Sequence, residues 1–126
     1  MSSPVRNTRE LFDFFQQQTS HLAHQPAVST PEGALRFAEL YTLAEGIAKQ
    51  LADAGIHEGD TVALALPNSL SFVPAFLALW RRSATIALVS PKYRESELLS
   101  IVEGVRPRCF LTTTGLARMF NALPVA

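Results

Sequence analysis

Between residues 38 and 113 the apolar side chains switch repeatedly between helical and strand spacing, and this restricts the chain to few topologies. Leu40, Leu43, Ala44, Ile47, Ala48 and Leu51 mark one face of a helix over about 38–54, and Gly55 suits the left-handed residue that ends it. Residues 61–66 then form a short apolar strand, closed by Pro67-Asn68-Ser69. A helix follows to about Arg82, and Pro74 fixes where it begins. In the interior of a helix proline costs about 3 kcal/mol, whereas in the first turn its missing N–H is harmless. The cap is therefore Ser69 or Ser71, with Ser71 favoured. That helix is apolar on nearly every side, which implies burial between layers. Residues 84–89, 95–103 and 109–113 continue as strand, helix and strand. Strands separated by helices of these lengths must be parallel and joined by right-handed crossovers. The predicted fold class is α/β, a three-layer arrangement with a mainly parallel sheet flanked by helices.

An amino-terminal helix and a short β-hairpin precede this unit. Asn7-Thr8-Arg9-Glu10 fits a capping box, and Leu11, Phe14 and Phe15 recur at helical spacing, with Leu22 further on. The helix is placed over about 8–19. The hairpin joins 27–30 to 34–37 through a turn at Pro31-Glu32-Gly33. At the other end, 115–121 is predicted as one or two helical turns.

At 126 residues the chain is read as a single domain, 1–126, long enough to bury roughly two-thirds of its unfolded surface. Its hydrophobic fraction of 48% supports a full core. Eleven basic residues balance eleven acidic ones without clustering, which argues against a nucleic-acid or anionic-membrane partner. The longest apolar run, 72–80, holds a proline and is far shorter than the ~20 residues a bilayer requires, so no membrane span is expected. The first twenty residues are too polar and acidic for a secretory signal. A single cysteine, Cys109, cannot form an internal disulfide, and the cytosol is the expected compartment.

Several segments then fall into a recognisable order. Leu35-Arg36-Phe37-Ala38-Glu39-Leu40 is followed by the run from Gly55 to Leu64, by Leu66-Pro67-Asn68-Ser69, by the run from Phe76 to Ala84, and by Ser90-Pro91. This order and spacing resemble the opening segment of the adenylate-forming (AMP-binding) superfamily, of the acyl-CoA synthetase or acyl-AMP ligase type. The resemblance covers most of the chain and implies that it corresponds to the first part of the large amino-terminal domain of such an enzyme. A parent of that kind uses ATP and magnesium to convert a carboxylic acid into an acyl-adenylate. It then passes the acyl group to CoA or to a carrier-protein thiol. Nothing in the sequence matches the family's phosphate loop, its adenylate-contacting motifs or its catalytic lysine.

In open α/β sheets ligands gather where strands end and helices begin. Those places are Pro67-Asn68-Ser69, Ser90-Pro91-Lys92 and Thr112-Thr113-Thr114-Gly115. The last invites comparison with a phosphate loop, but it continues Leu116-Ala117-Arg118 instead of running through a second glycine to a lysine. These threonines are read as strand-end and cap residues. The six glycines form neither a dinucleotide fingerprint nor a Walker spacing. Asp60 and Asn68, which the resemblance pairs with the same residues in relatives, are explained by turn and cap hydrogen bonds. His21 and His24 lack the carboxylate or thiolate company a metal site needs, and the environment of His57 depends on Glu58 and Asp60. Cys109 is predicted in a buried strand, where thiols are inert packing groups. Phe12, Phe14, Phe15 and Phe37 are assigned to core or interface and not to a base-stacking platform. No residue is assigned a catalytic, cofactor-binding or metal-ligating role, and no cofactor is expected for this chain alone.

The sequence also departs from the family pattern. Arg36 stands where threonine or serine usually caps the second helix together with Glu39, and arginine has no acceptor, so the cap should be weaker by ~1 kcal/mol. Ser83 replaces a glycine, which is harmless at negative φ and destabilising at positive φ. Leu88 replaces a proline and should make its strand more regular; Ser90 replaces an aspartate or asparagine. The expected role is a non-catalytic amino-terminal segment or subunit of an acyl-CoA-synthetase-like ligase. The alternative is an interaction module that pairs with the remaining ligase domains, with a second subunit, or with another copy of itself by exchange of an end element.

Overall fold

The computed structural model describes residues 7–67, 69–90, 92–112 and 123–124. In chain order it contains α1 (Thr8–Thr19), a 3-10 turn (Ser20–Leu22), β1 (Pro26–Thr30), β2 (Gly33–Arg36), α2 (Phe37–Asp53) and β3 (Thr61–Ala65). α3 (Phe72–Arg81), β4 (Thr85–Leu88), α4 (Glu95–Val105), β5 (Cys109–Thr112) and β6 (Leu123–Pro124) follow. β1 and β2 form an antiparallel hairpin. The main sheet has the order β4-β3-β5-β6, and every neighbouring pair in it is parallel.

Alternation along β3 explains the layering. Val62 and Leu64 face α2 and α3, where they join Ile47, Ala48, Leu51, Ile56, Ala75, Ala78, Leu79 and Leu111 in one core. Ala63 and Ala65 point the other way and pack with Val89, Leu98 and Phe110 under α4. A strand buried on both faces reads as an unbroken apolar run because neither side reaches water. The expected three-layer arrangement is therefore present, with α1 set against the outer side of α2 and α3.

α3 is the central helix, lying against α1, α2 and β3 at once, which accounts for its apolar circumference. Ser71 occupies its N-cap position, and its carbonyl accepts from Ala75 N–H at 3.1 Å. Pro74 sits in the first turn, fully inside the core, where it removes no helical hydrogen bond.

Three local expectations need correction. In α1 the buried aromatic is Phe12, which meets Tyr41 edge-on with ring centroids 6.0 Å apart and packs on Leu40, Ala44 and Leu77. Phe14 is 58% exposed, and Phe15 lies at the margin against Phe37 and Tyr41. The helix touches the body along a narrow stripe, so spacing alone did not reveal which ring turns inward. Phe37 starts α2 instead of ending the hairpin, because its N–H and that of Ala38 are taken by the carbonyls of Gln25 and Ala23. α4 runs on to Val105, and Arg106 ends it with φ 52°. The predicted turns at 115–121 lie outside the described residues, and β6 had no counterpart in the sequence reading.

Candidate functional site

Parallel strands all point their carboxyl ends to one edge, and register fixes which residues meet there. Leu64 is level with Leu88 and with Leu111, and Ala65 is level with Thr112. Residues 66–67, 89–90 and 112 consequently gather at one rim, as the strand-end argument expects. Asn68, Pro91 and 113–115, named with them in the sequence, lie outside the described residues.

Polar groups at this rim hold the chain together. The Thr112 hydroxyl is buried and donates to the Ala65 carbonyl at 2.8 Å, tying β5 to the end of β3. A buried hydrogen bond of this kind contributes about 1 kcal/mol, and its proton is not free for a ligand. Ser90 accepts at Oγ from Lys92 N–H, and its carbonyl accepts from Tyr93 N–H, which shapes the turn into α4. Lys92 itself is exposed.

A triphosphate with its magnesium requires several convergent donors or cations and a carboxylate for the metal. Among the described residues at this rim and in the turns that leave it there are two exposed cations, Lys92 and Arg94, one engaged threonine, Thr112, and two turn-forming serines, Ser69 and Ser90. Among the described residues no group of three His, Cys, Asp or Glu side chains could hold a metal ion. The described rim residues by themselves do not fit ATP and Mg.

The remaining candidates take structural places. Asp60 closes the turn before β3, accepting from His57 N–H at 2.7 Å, and its carboxylate stands 4.0 Å from Arg108 Nε. His21 and His24 are both exposed near the end of α1 and are not joined by carboxylates. Cys109 is half-buried rather than fully buried, because β5 opens at its amino end toward Arg108. Burial raises its thiol pKa above the usual value; Arg108 pulls it down and Asp60 pushes it up. Burial therefore favours the neutral thiol over the thiolate. Arg36 occupies the N-cap of α2, where only half of the reciprocal cap survives: the Glu39 carboxylate accepts from Arg36 N–H at 2.9 Å. Among the described residues no helix is long and apolar enough to cross a membrane.

Sequence reasoning missed one polar feature. A pocket of about 200 Å³ lies at the opposite, amino-terminal end of the sheet, lined by Asn7, Arg9, His57, Glu58, Arg81, Arg82 and Ser83. Its residues come from three separate stretches, so no local pattern announces it.

Comparison with known proteins agrees with this framework. The model of the AMP-binding enzyme family matches residues 15–125. A nonribosomal peptide synthetase-like enzyme of Aspergillus fumigatus is 28% identical over 100 residues, which is 79% of this chain and 7% of that protein. An oxalate–CoA ligase of Arabidopsis thaliana is 45% identical over 64 residues, covering 50% of this chain and 12% of the ligase. A 4-coumarate–CoA ligase of the same plant is 26% identical over 110 residues, covering 86% and 20% respectively. Among solved structures, an anthranilate CoA ligase in complex with anthranoyl-AMP superposes with a TM-score of 0.80 at 18% identity, covering 94% of this chain and 23% of that one. The o-succinylbenzoate CoA synthetase of Bacillus subtilis gives 0.78 at 22% identity, covering 90% and 31%. The chain thus spans a fifth or less of these curated relatives and matches the amino-terminal region of such ligases. With its parallel β4-β3-β5 frame and a family match that runs from α1 to beyond β6, the chain belongs to the AMP-binding enzyme family.

Proposed function

We propose that this chain is the amino-terminal framework of an acyl-CoA-synthetase-like ligase and is not catalytic alone. The parent reaction would join a carboxylic acid to AMP from ATP, releasing pyrophosphate, and then exchange AMP for a thiol of CoA or of a carrier protein. The observation that carries the reading is the rim of the sheet. The frame is that of an AMP-binding enzyme, yet among the described residues Thr112 and Ser90 hold backbone, and the cations there are the exposed Lys92 and Arg94. Positioning and electrostatic stabilisation of a transferring phosphoryl or adenylyl group need more donors than these. The free thiol of Cys109 supports a reducing, cytosolic setting. ATP–pyrophosphate exchange tests the proposal. The chain should give no exchange with any of a panel of aliphatic, aromatic and amino acids. Robust exchange with one of them refutes it.

A second reading, an interaction module, is favoured by one observation. β4 is an edge strand with Leu88 63% exposed, and Leu99 and Val105 of α4 are about half exposed. A row of unpaired strand groups beside apolar side chains suits cover by another polypeptide or a second copy. Sedimentation velocity separates the cases: a clean monomer that binds no hydrophobic dye removes this reading and leaves the first untouched.

A further inference from the structure

The pocket at the amino-terminal end of the sheet has chemistry that the carboxyl rim lacks. Two turns form its floor. One runs from His57 to Asp60 ahead of β3, and the other runs from Arg81 to Ala84 between α3 and β4. They are joined by Gly59 N–H donating to the Ser83 carbonyl at 2.9 Å and by Thr85 N–H donating to the Asp60 carbonyl at 2.8 Å. The start of α1, at Asn7 and Arg9, closes the third side.

Three arginines, Arg9, Arg81 and Arg82, are among the residues that line this space, against one acidic residue, Glu58. Arg81 is held by Glu45 through Nε at 3.3 Å, which leaves its terminal nitrogens for other acceptors. Arg82 donates from Nη2 to the Ile56 carbonyl at 2.8 Å, so its fork is fixed in place. Its Nε is buried and has no acceptor among the described residues. A buried donor without a partner costs about 1–3 kcal/mol, so this guanidinium is incompletely satisfied within the fold and a negative charge nearby would favour it. Asp60, in the adjoining turn, accepts from His57 N–H and faces Arg108.

The geometry points to a binding site for a small oxyanion of the phosphate class, separate from the carboxyl rim and independent of the function proposed above. Planar guanidinium forks suit the paired oxygens of phosphate, and the site stays net positive even with Arg81 paired to Glu45. About 200 Å³ holds such an ion with a few waters.

The test uses inorganic phosphate as the probe, at constant ionic strength maintained with chloride, because surface charge effects are screened by salt. Backbone amide shifts of the ¹⁵N-labelled chain should saturate at His57, Glu58, Gly59 and Ser83 on phosphate addition. Arg9→Ala, on the exposed start of α1, should weaken binding by about fivefold. Arg82→Gln should weaken it further. Glu58→Gln, which removes the one lining carboxylate, should tighten it by about threefold, a gain that damage to the fold does not produce. Sulfate should compete, and acetate should compete poorly. Shifts that never saturate, or that chloride reproduces, overturn the proposal. So does unchanged affinity in both Arg9→Ala and Glu58→Gln. If Arg82→Gln fails to fold, those two exposed-site variants decide the matter.

Discussion

Replacing Ser83 with glycine should stabilise the chain, and the reason is visible twice in the same structure. α2 ends with Gly55 N–H donating to the Ala52 carbonyl and Ile56 N–H donating to the Leu51 carbonyl, both at 3.0 Å. α3 ends with Ser83 N–H donating to the Trp80 carbonyl and Ala84 N–H donating to the Leu79 carbonyl, again both at 3.0 Å. Each pair is the 5→2 and 6→1 closure of a Schellman motif, and in each the residue after the cap must be left-handed. Gly55 takes φ 84° and Ser83 takes φ 53°. The apolar contacts that accompany the motif, Leu51 with Ile56 and Leu79 with Ala84, lie in one core. Only the residue at the left-handed position differs.

A side chain there costs about 1–2 kcal/mol from the clash of Cβ with the carbonyl oxygen. Glycine regains that amount but loses about 0.5–1 kcal/mol through its more flexible unfolded chain. Ser83→Gly should therefore gain about 0.5–1 kcal/mol. For a domain of this size that raises Tm by about 2–5 °C. Gly55→Ala is the mirror experiment. A Cβ at Gly55 would meet nothing closer than Arg108 Nη2 at 3.9 Å, so its cost is conformational and should be about 1 kcal/mol. Urea titration measures both, and the slope should not change because neither variant alters the surface exposed on unfolding. Ser83→Ala serves as the control and should gain nothing, since alanine keeps the Cβ. A Ser83→Gly chain no more stable than the parent, or a Ser83→Ala chain that matches it, would refute the reasoning.

Arg36→Thr restores an acceptor at the α2 N-cap, whose backbone is already extended (φ −80°, ψ 160°), and should raise the urea midpoint by the equivalent of about 1 kcal/mol. Two groups also predict loss of stability in alkali. Burial raises the Tyr41 pKa above 10.0, against a lowering by the Thr19 hydrogen bond, and burial first among its causes raises Cys109 above 9.0. In both the neutral form is favoured by folding, so their contribution is intact below pH 9 and is lost as pH climbs through 9 to beyond 10. Urea midpoints measured from pH 7 to 11 should be flat and then fall, with Tyr41→Phe and Cys109→Ala together flattening the fall.

How much of this was legible beforehand follows from the range of each interaction. Period and punctuation are local signals, so the 38–54 face, the Pro74 limit on α3 and the parallel β3, β4 and β5 strands could be read directly. Gly55 was legible for the same reason. Ser83 was legible only as a conditional, because the sign of φ at a departure from a family pattern depends on how α3 docks and where β4 begins. Phe12 was placed with three other rings in core or interface, but spacing within the helix marked Phe14 and Phe15; that Phe12 is the buried ring is decided by its partners Leu40, Tyr41 and Leu77. The candidate site divides in the same way. A carboxyl rim is a property of parallel topology, so its place could be predicted before any coordinate was known. The arginine pocket is assembled from residues near 7, 57 and 82 and needed the fold to bring them together.

The two ends of the sheet are closed by different kinds of bond among the described residues. The carboxyl rim is closed by side-chain to backbone bonds such as Thr112 to Ala65, which stabilise strand ends whatever is later built above them. The amino end is closed by backbone bonds between two turns, which leaves the side chains of Arg9, Arg81 and Arg82 uncommitted to the fold or only partly so. Stability and ligand recognition therefore draw on different atoms at the two ends. A substitution at the rim, Thr112→Val for example, should lower stability without touching phosphate affinity. Arg9→Ala should do the reverse. Were both variants to move both quantities together, the two ends would be coupled through the strands, and the separation argued from their hydrogen bonds would fail.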